Sequence, residues 1–181
     1  MILTPEKSLI RAHGWTLVNL LVSVCIMAIL LSLALPAFGT LMWNQRRVAA
    51  SNDLVASLHL ARSEAIKRAQ LVVLCPLGAA GTCLQRTGEW PNGWMVFVNL
   101  DRDDPPRRDP DEPIVRENPA PKGMLVQANR VAFVMRPVGV RSTNGTVSFC
   151  DPEGRRDGRA VVVSYTGRPR TSDRNLRCPS P

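Results

Sequence analysis

Residues Trp15 to Phe38 read WTLVNLLVSVCIMAILLSLALPAF, and no Asp, Glu, Lys or Arg occurs anywhere from Ala12 to Gln45. A helix crosses the hydrocarbon of a bilayer in roughly 20 apolar residues, so this stretch is long enough to be a membrane segment. Lys7 and Arg11 precede it, and Arg46 and Arg47 follow it. Basic residues at both ends leave the orientation open by the positive-inside count, and they place Arg46 and Arg47 where lipid headgroups would be. A conventional secretory signal has a shorter apolar core, about 7–15 residues, followed by a small-residue cleavage site. Here Ala34-Leu35-Pro36 puts a proline where that site needs a small residue.

Outward from this segment the pattern changes to that of a soluble domain. The chain has 181 residues, 45% hydrophobic and 21% charged, a globular average that hides apolar content gathered near the start. Its length suits one domain with an attached segment rather than two full domains. Leu54, Leu58, Ala61 and Ala65 recur at helical spacing on one face, with Asp53, Arg62, Lys67 and Arg68 off that stripe. Lys67 and Arg68 sit where cations favour a helix C-terminus. A helix from Trp15 to about Ala69 would be roughly 80 Å long at 1.5 Å per residue. Its first half, residues 15–37, predicts a transmembrane span, and its second half, residues 38–70, an amphipathic face for a soluble domain.

Beyond residue 70 short β-rich runs appear at residues 71–74, 94–98, 131–134, 147–149 and 160–165. Turn signals separate them, including Pro91-Asn92-Gly93 and Asn144-Gly145, the latter suited to a tight hairpin. The expected fold class is α+β: a long N-terminal helix packed on a mostly antiparallel β-sheet domain over residues 71–181. Asp101 to Pro121 holds six prolines, with seven acidic and four basic residues up to Glu117, and predicts a long exposed loop. Asp101, Asp103 and Asp104 invite a calcium reading, but Pro105 and Pro106 stand where an EF-type loop needs an oxygen ligand and a glycine.

The residues Gly14-Trp15-Thr16-Leu17-Val18-Asn19-Leu20-Leu21 resemble the type IV prepilin cleavage motif. The resemblance implies a leader, residues 1–14, that a prepilin peptidase removes after Gly14 while methylating the new N-terminus at Trp15. It also implies a single-pass protein of the bacterial inner membrane, with its globular domain in the periplasm. The apolar helix would then join other pilins or pseudopilins in a pilus or pseudopilus. Leu35-Pro36-Ala37-Phe38 is similar to the pilin helix around its proline. Two positions depart from the motif: His13 stands where Lys or Arg is common, and Asn19 where Glu is usual. In the family that Glu is thought to pair with a neighbour's terminal amine. An uncharged amide costs much less to bury in hydrocarbon, so Asn19 suggests a minor component of a filament.

Five cysteines divide by position. Cys25 lies in the apolar helix and is expected as a small buried hydrophobe. Cys75, Cys83, Cys150 and Cys178 follow the helix, on the side that the prepilin topology puts outside the cytoplasm, where disulfides persist. Four thiols allow three connectivities, of which Cys75 with Cys83 and Cys150 with Cys178 are favoured. Zinc is disfavoured, since no Cys-x-x-Cys occurs and the only histidines are His13 and His59.

The chain carries a formal charge of +8 with a pI near 10.1, nearly all of it from arginine. Such a balance predicts an anionic partner, and arginine's planar fork suits phosphate. Ten basic and four acidic residues fall between Arg130 and Pro181, a net of +6. The ending Gly167-Arg168-Pro169-Arg170, with Cys150-Asp151-Pro152-Glu153-Gly154 and Arg159 to Ser164 before it, is similar to that of FimT-type minor pilins. In those, a Gly-Arg-x-Arg motif is linked to DNA binding in natural transformation. Leu60 to Arg68, Val73 to Pro76 and Gly93 to Val98 also resemble that family and the related GspH pseudopilins of type II secretion.

In an extended chain residues two apart point the same way, so Arg168 and Arg170 would present two guanidinium groups roughly 6–7 Å apart. That spacing matches successive phosphates of a strand. Pro169 cannot donate to a ladder and favours an edge. Arg174 and Arg177 extend the patch. The expected partner is double-stranded DNA, bound without sequence preference because phosphate contacts carry no sequence information. The sequence has no phosphate loop or nucleophile elbow, so neither an enzyme nor a cofactor is expected. The alternative is a purely structural GspH-like pseudopilin of type II secretion.

Overall fold

A computed structural model describes residues 16–137, 141–154 and 156–172, with the backbone alone described over residues 33–37. The first element is a single helix, α1 (Leu17–Arg68). Thr16 caps it: its Oγ1 accepts from the Asn19 N–H (3.4 Å) and its carbonyl from the Leu20 N–H (3.2 Å). At the far end Glu64 accepts from Arg68 Nε (2.7 Å) and Lys67 Nζ (3.3 Å). The Arg68 hydrogen bond, and then that from Lys67, holds the Glu64 carboxyl below the ordinary carboxylate range. Ala69 leaves the helix at φ +52°.

The chain divides into two compact units, Met1–Met42 and Trp43–Pro181. In the first, the large apolar side chains from Leu17 to Leu31 are exposed around the whole circumference of the helix. Among the described residues no helix is long and apolar enough to cross a membrane, so the spanning role expected of residues 15–37 rests on the sequence. Cys25, expected to be buried, is a free and exposed thiol in this single chain.

Among the described residues the second unit holds the remaining helical turns and nine strands: β1 (Leu71–Pro76), β2 (Gly88–Glu89), β3 (Gly93–Asn99), β4 (Ile114–Pro119), β5 (Leu125–Ala128), β6 (Phe133–Met135), β7 (Gly145–Cys150), β8 (Arg159–Val163) and β9 (Pro169–Ser172). They form two antiparallel sheets, ordered β4-β3-β1-β6 and β2-β5-β7-β8-β9. The architecture is the expected α+β fold, with the sheet residues shared between two layers. Leu54, Leu58, Ala61 and Ala65 are all fully buried and meet Val72, Leu74, Trp94 and Val96 of the first sheet and Val147, Phe149, Val161 and Val163 of the second. Together they form one core.

The central strands of the first sheet, β1 and β3, are buried on both faces. Val73, Cys75, Met95 and Phe97 pack in a second cluster with Cys83 and Ala132, which is why residues 94–98 are apolar without alternation. The Cys75–Cys83 disulfide, with Cα atoms 5.7 Å apart, closes the loop over that cluster. The second sheet alternates, with Val147, Phe149, Val161 and Val163 turned inward and Thr146, Ser148 and Val162 only half-buried. Its outer face is the polar one.

Three further expectations change. The stretch from Asp101 to Pro121 is not one long exposed loop, because β4 lies within it and pairs with β3 from Gly93↔Pro119 to Phe97↔Ile114. The part before β4 is held by its own carboxylates. Glu112, 2% exposed, accepts from the N–H groups of Leu100 (2.6 Å) and Asp109 (3.0 Å), and Asp103 accepts from Arg107 N–H (2.8 Å) and the Asn99 amide (2.9 Å).

Asn144-Gly145 is not a tight hairpin turn. It leads into β7, whose neighbours are β5 and β8, and a Cβ on Gly145 would lie 2.7 Å from Asn129 Oδ1 and 2.8 Å from Arg130 Cγ. The glycine permits close approach. Arg47, placed at lipid headgroups by its sequence position, instead donates to the carbonyls of Asp157 (2.9 Å) and Gly158 (3.1 Å), leaving Arg46 exposed.

Candidate nucleic-acid interface

The strands β8 and β9 form a hairpin that carries Arg168 and Arg170. Val163 pairs with Pro169 and Val162 with Arg170, and the turn closes through Gly167 N–H to the Ser164 carbonyl (2.8 Å) and Ser164 N–H to the Arg168 carbonyl (3.1 Å). The Ser164 hydroxyl also accepts from Arg168 N–H (3.2 Å) and lies 2.8 Å from Thr166 Oγ1. Because β9 ends the sheet order, Pro169 removes no ladder hydrogen bond.

Gly167 is needed at this turn. Its φ is +70°, and a Cβ there would meet Met135 Sδ at 3.0 Å and Ser142 Oγ at 3.2 Å. A branched residue would be strained in backbone and crowded in space, at about 2 kcal/mol. Gly167→Val is therefore expected to lower stability by that amount in urea denaturation followed by circular dichroism, with Gly167→Ala losing less.

Arg168 and Arg170 are both exposed, on either side of half-buried Pro169. Among the described residues neither guanidinium has a hydrogen-bond or ion-pair partner. They border a shallow groove of about 410 Å³ with Asn144, Val162 and Tyr165. Arg168 directly precedes β9 and Arg170 lies within it, both lining this groove, with half-buried Val162 as the cross-strand neighbour of Arg170.

Other arginines lie on the hairpin or on the 141–144 stretch beside it. Arg62 of α1 donates to the Thr166 carbonyl. The Arg141 guanidinium lies 5.7 Å from the centre of the Tyr165 ring, and Ser142 N–H donates to the Tyr165 carbonyl (2.8 Å). Arg136 donates to the Arg141 carbonyl (3.1 Å) and Arg130 to the Asn144 carbonyl (3.0 Å). These hydrogen bonds go to neutral acceptors, so none of them cancels an arginine's charge. Arg62, Arg136, Arg141 and Tyr165 were not in the sequence-based site. They come from three separate stretches, and no spacing in the chain links them.

Gly14 and Trp15 lie outside the described residues, as do Arg174, Arg177 and Cys178. Cys150, at the end of β7, is disulfide-bonded. The pairing expected of it, with Cys178, falls outside the described residues.

Residues 50–167 match the family described as type II transport protein GspH. No curated protein matches the chain. Two crystal structures of the type IV minor pilin FimU from Pseudomonas aeruginosa (strain PAO1) have a similar fold. That in space group P65 is 18% identical with a TM-score of 0.51, covering 68% of this chain and 90% of that one. The structure in space group P21 is 17% identical with a TM-score of 0.54, covering 71% and 90%. The GspH match spans nearly two thirds of the chain and stops one residue before Arg168, with the helical stripe, the strands β1 to β8 and the Cys75–Cys83 loop within it. The chain belongs to the GspH family, and its helix and paired antiparallel sheets have the fold of a type IV minor pilin.

Proposed function

We propose that this chain is a FimT-like minor pilin of a type IV pilus that binds DNA without sequence preference during uptake for natural transformation. A prepilin peptidase removes residues 1–14 and methylates Trp15. The apolar half of α1 anchors the protein in the inner membrane and joins other pilins, with the Trp43–Pro181 unit in the periplasm. Asn19 in place of the usual Glu suits a minor subunit.

The observation that carries the DNA reading is the edge hairpin presenting Arg168 and Arg170 together, both exposed. Arg174 and Arg177 would extend the patch. Arginines without acidic partners keep their full charge for phosphate. The GspH match, ending before these arginines, favours the second reading, a structural pseudopilin of type II secretion that binds no DNA.

The test uses the full chain in nonionic detergent and two duplexes of unrelated sequence. Binding should be equal for both and fall with salt at a slope near −0.9 for each phosphate neutralised. Arg168→Ala with Arg170→Ala should reduce that slope by about 1.8 and weaken binding roughly tenfold or more at 0.1 M salt. Unchanged affinity at low salt would remove the proposed site and favour the structural pseudopilin.

A further inference from the structure

The chain has a single tyrosine, and it stands at the tip of the arginine-bearing hairpin. Tyr165 is 56% exposed, although a ring of this size usually buries most of its surface. Its position is nevertheless fixed. The Tyr165 carbonyl accepts from Ser142 N–H (2.8 Å), and the next carbonyl, of Thr166, accepts from Arg62. Arg141 lies over the ring, 5.7 Å from its centre. The ring borders the groove that Arg168 and Arg170 also line.

A preplaced, exposed aromatic ring among arginines has a specific chemical complement. Arginines grip phosphate whether the nucleic acid is single or double stranded. The ring gains only where a base can offer its flat face. In a duplex those faces are covered by the neighbouring base pairs; in a single strand they are free, and stacking on an aromatic side chain is tolerant of sequence. Across the sheet from Arg170 come the small side chains of Val162 and then Thr146.

We propose that Tyr165 is a base-stacking platform, so that the hairpin binds single-stranded DNA in preference to duplex: Arg168 and Arg170 hold consecutive phosphates and the ring takes an adjacent base. This rests on the DNA-binding reading above. Tyr165 contributes affinity for one form of the ligand and the arginines contribute to both.

The experiment compares a fluorescein-labelled oligothymidylate with a duplex carrying the same number of phosphates, by anisotropy, using the full chain in nonionic detergent. The single strand should bind about fivefold or more tightly. Tyr165→Ala should abolish that preference and leave duplex affinity within about twofold, and Tyr165→Phe should keep the preference because the ring remains. Equal binding of the two probes by the unmodified protein, or an equal loss for both in Tyr165→Ala, overturns the platform while the DNA-binding reading stands. If neither probe binds, both fall together.

Discussion

Gly93→Val is expected to reduce stability by about 4 kcal/mol or more, enough to leave much of the protein unfolded. Gly93 opens β3 at φ +95°, which already disfavours any side chain, and a Cβ there would lie 2.1 Å from the Asn118 carbonyl oxygen and 2.6 Å from both Ala120 N and Pro119 C. All three are backbone atoms of the paired β4 end, so no rotamer change relieves the contact. The strands would have to separate. Separation breaks the Ala120 N–H bond to the Asn92 carbonyl (3.2 Å) and disturbs Leu77 N–H on the Gly93 carbonyl (3.0 Å). It also carries away Asn118, whose side chain reaches Ser57 (3.2 Å) on α1. Urea denaturation of the full chain in nonionic detergent, followed by far-ultraviolet circular dichroism, measures the loss. A cost under about 1 kcal/mol would mean that β4 is not held against β3 as described.

The contrast between Gly93 and Gly145 shows what the residues alone disclosed. Pro91-Asn92-Gly93 is a turn as its composition predicts, with Gly93 N–H bonded to the Trp90 carbonyl (3.3 Å). Asn144-Gly145 has the same turn chemistry, yet its glycine serves tertiary packing against Asn129 and Arg130. Local composition cannot distinguish those causes. The helical stripe and the buried run of β3 were legible because a whole face, or both faces, must be apolar. The strands β2, β4, β5 and β9 were not. The first has two residues, β5 has four, and β4 and β9 are polar edge strands containing proline. Their strand conformation comes from a neighbour's ladder rather than from their own pattern.

The same division runs through the candidate interface. Arg168 and Arg170 could be paired from a spacing of two, which is a local property of extended chain. Arg62 and Arg141 reach the hairpin through a carbonyl group and a ring that only the folded chain brings near. Arg47 illustrates the opposite error. Its place after an apolar segment suggested a lipid headgroup, but the Asp157 and Gly158 carbonyls, more than 100 residues later, take up its guanidinium.

Trp94→Ala should cost about 3–5 kcal/mol, the range for emptying a fully buried large aromatic site. Trp94 is 1% exposed and belongs to the core shared by α1 and both sheets. Its ring meets Phe149 of the second sheet edge-on, with centroids 6.3 Å apart, and its Nε1–H donates to the Ser57 hydroxyl of α1 (3.0 Å). The Ser57 hydroxyl in turn has the Asp53 carbonyl (2.8 Å) and Asn118 Oδ1 (3.2 Å) within reach as acceptors. One side chain therefore joins helix, first sheet and second sheet by packing and by a buried polar link. Truncation leaves a cavity and takes the donor from Ser57, two costs that add. Trp94→Phe separates them, because it keeps most of the volume and loses the N–H, and should cost about 1–2 kcal/mol. In Ser57→Ala, the further loss on adding Trp94→Phe should shrink by about 1 kcal/mol, since the hydrogen bond is already gone. Fully additive losses would show that the tryptophan acts through packing alone. The DNA affinity proposed for the arginine hairpin should stay within about twofold in the folded fraction while the denaturation midpoint falls.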